Sequence, residues 1–199
     1  PTGEVRIVGA AGQSLPVGEV GELWYRGPIV VRGYWNKPQA PAETAWMLDG
    51  SGVCITSGEE LADIVRRAAA AGWPVAVHAI GDLANREALD AFEETRAAWA
   101  PLGLRNRIEH AQLLAPEDLG RFADLGVAAS VQFSHATSDR DVADRYWAGK
   151  TDGAYAFRSL WDSGALVANG VDGPVEELDP LAGVRAGALR TIDGRPPWQ

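Results

Sequence analysis

The sequence has a single cysteine, Cys54, which excludes an internal disulfide and any multi-cysteine metal site. That usage fits a reducing compartment, and a cytoplasmic location is expected. Cys54 itself reads as a small apolar residue. Basic residues are in the minority, 18 Lys and Arg against 27 Asp and Glu, for a net charge of −9. Neither nucleic acid nor an anionic membrane is expected as the principal partner of such a chain. No apolar run approaches the roughly 20 residues of a membrane-spanning helix, and no basic-then-apolar leader opens the sequence. It lacks an initiating Met and begins at Pro1, as a processed, trimmed or fragmentary chain would. No Gly-x-Ser-x-Gly elbow supports Ser134 or Thr137 as a nucleophile beside His135. Gly9 to Gly12 lack the strand-then-helix setting of a nucleotide-binding loop.

What is present is material for a core. The chain is 46% hydrophobic with 8 Trp, enough for one domain or for a domain with a small appendage. Most of the aromatic residues are expected inside. Residues 1 to about 36 alternate in hydrophobicity at Glu4–Val8 and again at Gly21–Gly27, with turn signals at Gly9 to Gly12 and Pro16-Val17-Gly18. This predicts an antiparallel β hairpin or meander, which must pack on something to be stable.

From Ser57 the pattern changes to strands alternating with helices. Ser57 and Glu60 form a capping-box pair, followed by Leu61, Ile64, Val65 and Ala68 on one stripe and a stop at Gly72. A second helix carries Leu89, Phe92 and Trp99. A third opens at Pro116 with Leu119, Phe122 and Leu125 on one face and stops at Gly126. A fourth is expected over about 152–163 with Leu160 and Trp161 inward, and a fifth from Asp179-Pro180 to about Thr191. Asp139-Arg140-Asp141 reads as a solvated turn or helix start. Such alternation implies a parallel sheet with helices outside it.

Four apolar runs end in residues that carry chemistry: Pro74–His78, Arg107–His110, Val127–His135 and Ala165–Asp172. All three histidines of the chain and Asp172 therefore fall at predicted strand ends, at steps of 32, 25 and 37 residues, about one βα unit each. In parallel α/β folds the carboxyl ends of the strands are where sites form. His78, His110 and Asp172, with His135 as a possible fourth member, suit Zn²⁺ or a similar divalent ion with a position left open for water. Each histidine taken singly reads better as a capping or hydrogen-bonded residue at a strand end; the set of three with Asp172 favours a shared site.

The runs "VAVHAIGDLANREALDAFE", "RIEHAQLLAPEDLGRFADLGVAASVQFSHATSDRD" and "VDGPVEELDPLAGVRAGALR" resemble the amidohydrolase superfamily, in its family-3 branch, over about residues 57–195. The resemblance implies a metal-dependent hydrolase on a TIM barrel. His78 and His110 would be metal ligands at the ends of strands five and six. Asp172 at strand eight would be the proton-transferring carboxylate and a further ligand, and His135 at strand seven would bind substrate. Only about the second half of a barrel is present, and the His-x-His of strand one and the strand-four region have no counterpart, so a single-metal site is expected. Gly170-Val171-Asp172 replaces the usual Gly-Ser-Asp.

Residues 1–45, with "LPVGEVGELWYRGPIVVRGYWNKPQAPAET", resemble a stretch near the end of the large domain of adenylate-forming ligases. The "DGW…TGD" of those enzymes is replaced by Leu48–Gly52 and Thr56–Glu59, so ligase activity is not expected. The sequence thus predicts an α/β mosaic: a small antiparallel β segment over 1–45, then a partial (half) TIM barrel of parallel βα units over 46–199. Half a barrel has two open strand edges and an exposed inner face, so a homodimer, or cover from Trp24, Tyr25, Val30, Tyr34 and Trp35, is expected. The function expected is metal-assisted hydrolysis of an amide, ester or similar C–N or C–O bond in a small-molecule substrate. The alternatives are an inactive binding or scaffold module and a metal-independent esterase.

Overall fold

The structure is a computed structural model that describes residues 4–8, 16, 22–26, 47, 52–191 and 193–198. The chain divides into two units, Pro1–Lys37 and Pro38–Gln199. In the first, β1 (Glu4–Val8) and β2 (Glu22–Arg26) pair antiparallel from Glu4 opposite Arg26 to Val8 opposite Glu22. The alternating β-branched and aromatic residues of both segments suit a pleated ribbon. Trp24 and Tyr25 lie in β2, whereas Val30, Tyr34, Trp35 and Leu48–Ser51 fall outside the described residues.

The second unit is an α/β layer of parallel βα units, the arc of a partial barrel. Its strands are β3 (Ala76–Ala79), β4 (Arg107–His110), β5 (Ala128–Val131) and β6 (Val167–Asn169), in the spatial order of the sequence and all parallel. Every crossover steps the same way. A barrel is built like this, whereas a doubly wound sheet reverses direction at a switch point.

The helices are α1 (Gly58–Ala70), α2 (Asp82–Glu94), α3 (Arg96–Trp99), α4 (Arg121–Leu125), α5 (His135–Ser138), α6 (Arg140–Tyr146), α7 (Phe157–Asp162) and α8 (Pro180–Leu189). Ser57 caps α1 by accepting from the Glu60 N–H, and Asp179 caps α8 by accepting from Leu181 N at 2.9 Å. Gly126, with φ of 75°, ends α4 in the left-handed conformation that glycine adopts without a Cβ penalty. None of the helices among the described residues is long and apolar enough to cross a membrane.

Strand register assigns the two faces of the sheet. Val77, Ile108, Ala129 and Val167 lie side by side and face the helices. There they meet Leu61, Val65, Leu89, Phe92, Trp99, Phe122 and Leu160 in one continuous core. The neighbouring row, His78, Glu109, Ser130 and Ala168, faces the other way and is half-buried or exposed. The sheet therefore has a covered outer face and an open inner one.

Several expectations fail locally. The helix expected over 152–163 is broken: a short 3₁₀ turn at Thr151–Gly153 precedes α7, with Tyr155 at φ 51° between them. The break occurs because Tyr155 N donates to Gln112 O at 2.6 Å and Leu114 N donates to Gly153 O at 3.0 Å, ties that a continuous helix could not make. Trp161 is 68% exposed while Leu160 is fully buried, so the inward stripe of α7 is narrower than expected. Trp73 is likewise exposed, and Cys54 is an exposed thiol donating to Thr56 O rather than a core residue. β5 stops at Val131, four residues short of His135, because Asn169 Oδ1 takes the Phe133 N–H and the chain turns through Gln132 into α5.

Candidate metal centre

The four residues singled out by strand-end spacing come together at one end of the sheet, by unequal routes. His78 is the third residue of β3, on the open inner face. His110 is the last residue of β4 and shares the alternation of Ile108, which would send it into the helix-side core. Its φ of 76°, followed by 44° at Ala111, turns the chain left-handed and brings the ring over the strand ends instead. The His110 ring centroid lies 4.3 Å from that of His78, edge to face. Such a conformation costs about 1–3 kcal/mol at a bulky residue and persists only where its surroundings impose it. Here Ala111 N donates to Ala79 O at 3.0 Å, clamping the turn.

His135 arrives as the first residue of α5, its ring parallel to that of His110 at 5.9 Å. Asp172 lies three residues beyond β6 at φ 48°, a left-handed position that Asp tolerates. Its Oδ2 is 4.0 Å from His135 Nε2. Glu176, which sequence reasoning did not single out, places Oε1 3.8 Å from the same nitrogen and accepts a hydrogen bond from Ser138. The signal for it was faint: the first of two adjacent acidic residues, Glu176-Glu177, four positions past Asp172.

Donor atoms of His110, His135 and Asp172 all lie within 4.8 Å of one another. Two ligands of a tetrahedral zinc ion, each about 2.0–2.2 Å from it, stand about 3.3–3.6 Å apart, so an ion would draw these groups together by about an ångström. His110 Nδ1 and His135 Nε2 are buried with no hydrogen-bond partner among the described residues. Unsatisfied ring nitrogens beside a carboxylate are a chemically suitable donor set for a divalent cation. His78 is at the edge of this group, against His110.

The electrostatics keep two of the rings neutral. His78 retains solvent contact, yet crowding on its protein side and the adjacent His110 lower its pKa from 6.5 to about 4, against the opposing pull of Asp172 and Glu109. Burial likewise lowers His110, with Asp172 opposing and His135 reinforcing the shift. A neutral imidazole offers a lone pair without first releasing a proton. The unfolded chain takes up the His78 proton near 6.5 and the folded chain only near 4, so this contribution to stability is complete above 6.5 and is lost as pH falls through that window. Urea midpoints of the metal-free chain are expected to drop between pH 7 and pH 4.5, and by less in His78→Ala. An equal drop in both would remove His78 as a source.

Comparison with known proteins bears on this geometry. A family model described as the amidohydrolase family matches residues 31–195. The protein LONG AFTER FAR-RED 3 of Arabidopsis thaliana is 40% identical over 141 residues, 70% of this chain and 24% of that protein. A crystal structure of an uncharacterized metal-dependent hydrolase from Pyrococcus furiosus superposes with a TM-score of 0.65 at 31% identity, covering 78% of this chain and 33% of the other. The p-hydroxybenzoic acid–AMP ligase FadD22 of Mycobacterium tuberculosis is 41% identical over 58 residues, 29% of this chain and 8% of the ligase. The chain thus spans about a quarter of the length of LONG AFTER FAR-RED 3 and a third of the Pyrococcus hydrolase.

Proposed function

This chain belongs to the amidohydrolase family, and from that membership we propose that it is a single-metal hydrolase of amide- or ester-type C–N or C–O bonds in a small-molecule substrate. The observation that carries the reading is the convergence of His110 and Asp172, whose donor atoms lie within 4.8 Å of each other, with the His78 ring centroid 4.3 Å from that of His110. His78, His110 and Asp172 would hold a divalent ion, zinc foremost. When bound, such an ion polarises a carbonyl and makes water a stronger acid. Asp172 takes the proton of the attacking water, a role suited to a partly exposed carboxylate with a lone-pair oxygen facing the centre. His135 binds substrate, with a buried ring nitrogen turned toward Asp172 and Glu176.

Zinc analysis of the dialysed chain is expected to give about one ion per protein, the complement of a three-ligand site. In His110→Ala that content falls to near zero. Chelator should abolish hydrolysis of activated esters and amides, and zinc should restore it. Hydrolysis that survives chelation would instead indicate a metal-independent esterase, and absence of both zinc and activity an inert module. The second of these has one observation in its favour: the inner face is open and β3 and β6 are the edges of the sheet. Homodimerisation that covers those edges is part of the same proposal. So is descent of residues 1–45 from a ligase.

A further inference from the structure

Behind His135, on the side away from Asp172, is a chain of buried and half-buried polar groups that the hydrolytic reading does not use. Gln112, 3% exposed, places Nε2 3.3 Å from His135 Nδ1 and 3.0 Å from Asp139 Oδ2. The Tyr155 hydroxyl donates to the same Asp139 oxygen at 3.0 Å. The segment is tied a second time by Tyr155 N donating to Gln112 O and Asp139 N donating to His135 O.

Chemistry fixes the orientation of the Gln112 amide. Reversed, it would press its carbonyl oxygen against a carboxylate, two acceptors about 3 Å apart. With the NH₂ group facing Asp139, one hydrogen goes to the carboxylate and the other to His135 Nδ1. An Nδ1 that accepts leaves the proton of the neutral ring on Nε2. Tyr155 remains a donor throughout, since burial and the Asp139 charge raise its pKa well above the ordinary value.

We propose that Asp139, anchored by Tyr155, orients Gln112 so that neutral His135 carries its proton on Nε2 and presents it as a hydrogen-bond donor to an acceptor oxygen of the substrate, a carbonyl above all. Asp139, Gln112 and Tyr155 are positioning residues that act through His135. Nε2 is buried without a hydrogen-bond partner among the described residues, beside the Glu176 and Asp172 carboxylates at 3.8 and 4.0 Å. One consequence rests on the proposed metal site: a protonated Nε2 cannot ligate, so His135 drops out of the ligand set and His78 would be the third ligand beside His110 and Asp172.

The test is ¹⁵N NMR of the metal-free chain, at a pH where the ring is neutral. The result expected is a proton on His135 Nε2, with Nδ1 showing a coupling across the hydrogen bond to the Gln112 side-chain nitrogen. Asp139→Asn lets the Gln112 amide reverse, so the Nδ1–H form should rise several-fold and the coupling weaken, while backbone amide signals elsewhere hold their positions. A wild-type ring protonated at Nδ1, an absent coupling, or an unchanged tautomer ratio in a folded Asp139→Asn chain would overturn the relay. Should that variant fail to fold, the wild-type measurement decides alone. Loss of the Nε2 proton on adding zinc would overturn the exclusion of His135 as a ligand. Failure to take up zinc at all would count against the metal site and not against the relay.

Discussion

Asp172→Asn is expected to slow hydrolysis by about 100- to 10,000-fold, the range that a positioned general base contributes. The change is as small as chemistry permits: one oxygen becomes NH₂, and the side chain keeps its shape. Backbone strain does not confuse the result, because Asn adopts the left-handed φ found at this position (48°) at least as readily as Asp. Stability should be nearly unchanged, since the Asp172 side chain is 39% exposed and stands 4.0 Å from the His135 ring nitrogen, beyond hydrogen-bonding distance. The loss should appear in kcat rather than KM if Asp172 acts on the reacting water alone. Near wild-type kcat, with zinc still bound, would take the proton-transfer role away from this carboxylate.

Phe92→Ala is expected to destabilise the chain by about 3–5 kcal/mol, a large share of the roughly 5–15 kcal/mol that holds a domain folded. Phe92 is fully buried on α2, its ring edge-on to Trp99 at 6.4 Å, within the core that links helices to sheet. Trp99 Nε1 donates to Phe92 O at 2.9 Å, so the backbone there is fixed and cannot close the cavity readily. Equilibrium urea unfolding would register the loss as a lower midpoint. A shift worth less than about 1 kcal/mol would mean that the core repacks around the gap. Because Phe92 is on the helix side of the sheet, zinc content of the folded fraction should be unchanged.

Much of this architecture was legible in the sequence, for a local reason. Helix starts and stops are written in one or two residues, so Ser57, Asp179 and Gly126 are found where capping chemistry places them. Apolar runs one βα unit apart imply parallel strands, and the four strands follow in that order. The helix over 152–163 could not be read the same way, because contacts from residues 112 to 114 break it. Those contacts come from about 40 residues away, and no periodicity within the segment encodes them. Trp161 shows the related error: an apolar side chain on a helix is not thereby an inward one.

At the centre the division is sharper. Sequence by itself determined which side chains gather at one end of the sheet, since three histidines and an aspartate at or just past strands one βα unit apart form a pattern that follows from the period of the fold. Tertiary structure alone decided how those side chains meet. Alternation assigns His110 to the helix face, and only its left-handed backbone, clamped to Ala79, turns the ring toward His78. Asp139 looked like part of a solvated turn, yet Gln112 and Tyr155, distant in sequence, make it a half-buried acceptor behind His135. A spacing fixes where a side chain leaves the sheet. Its direction, its proton and its partners depend on groups that only the folded chain brings within hydrogen-bonding distance.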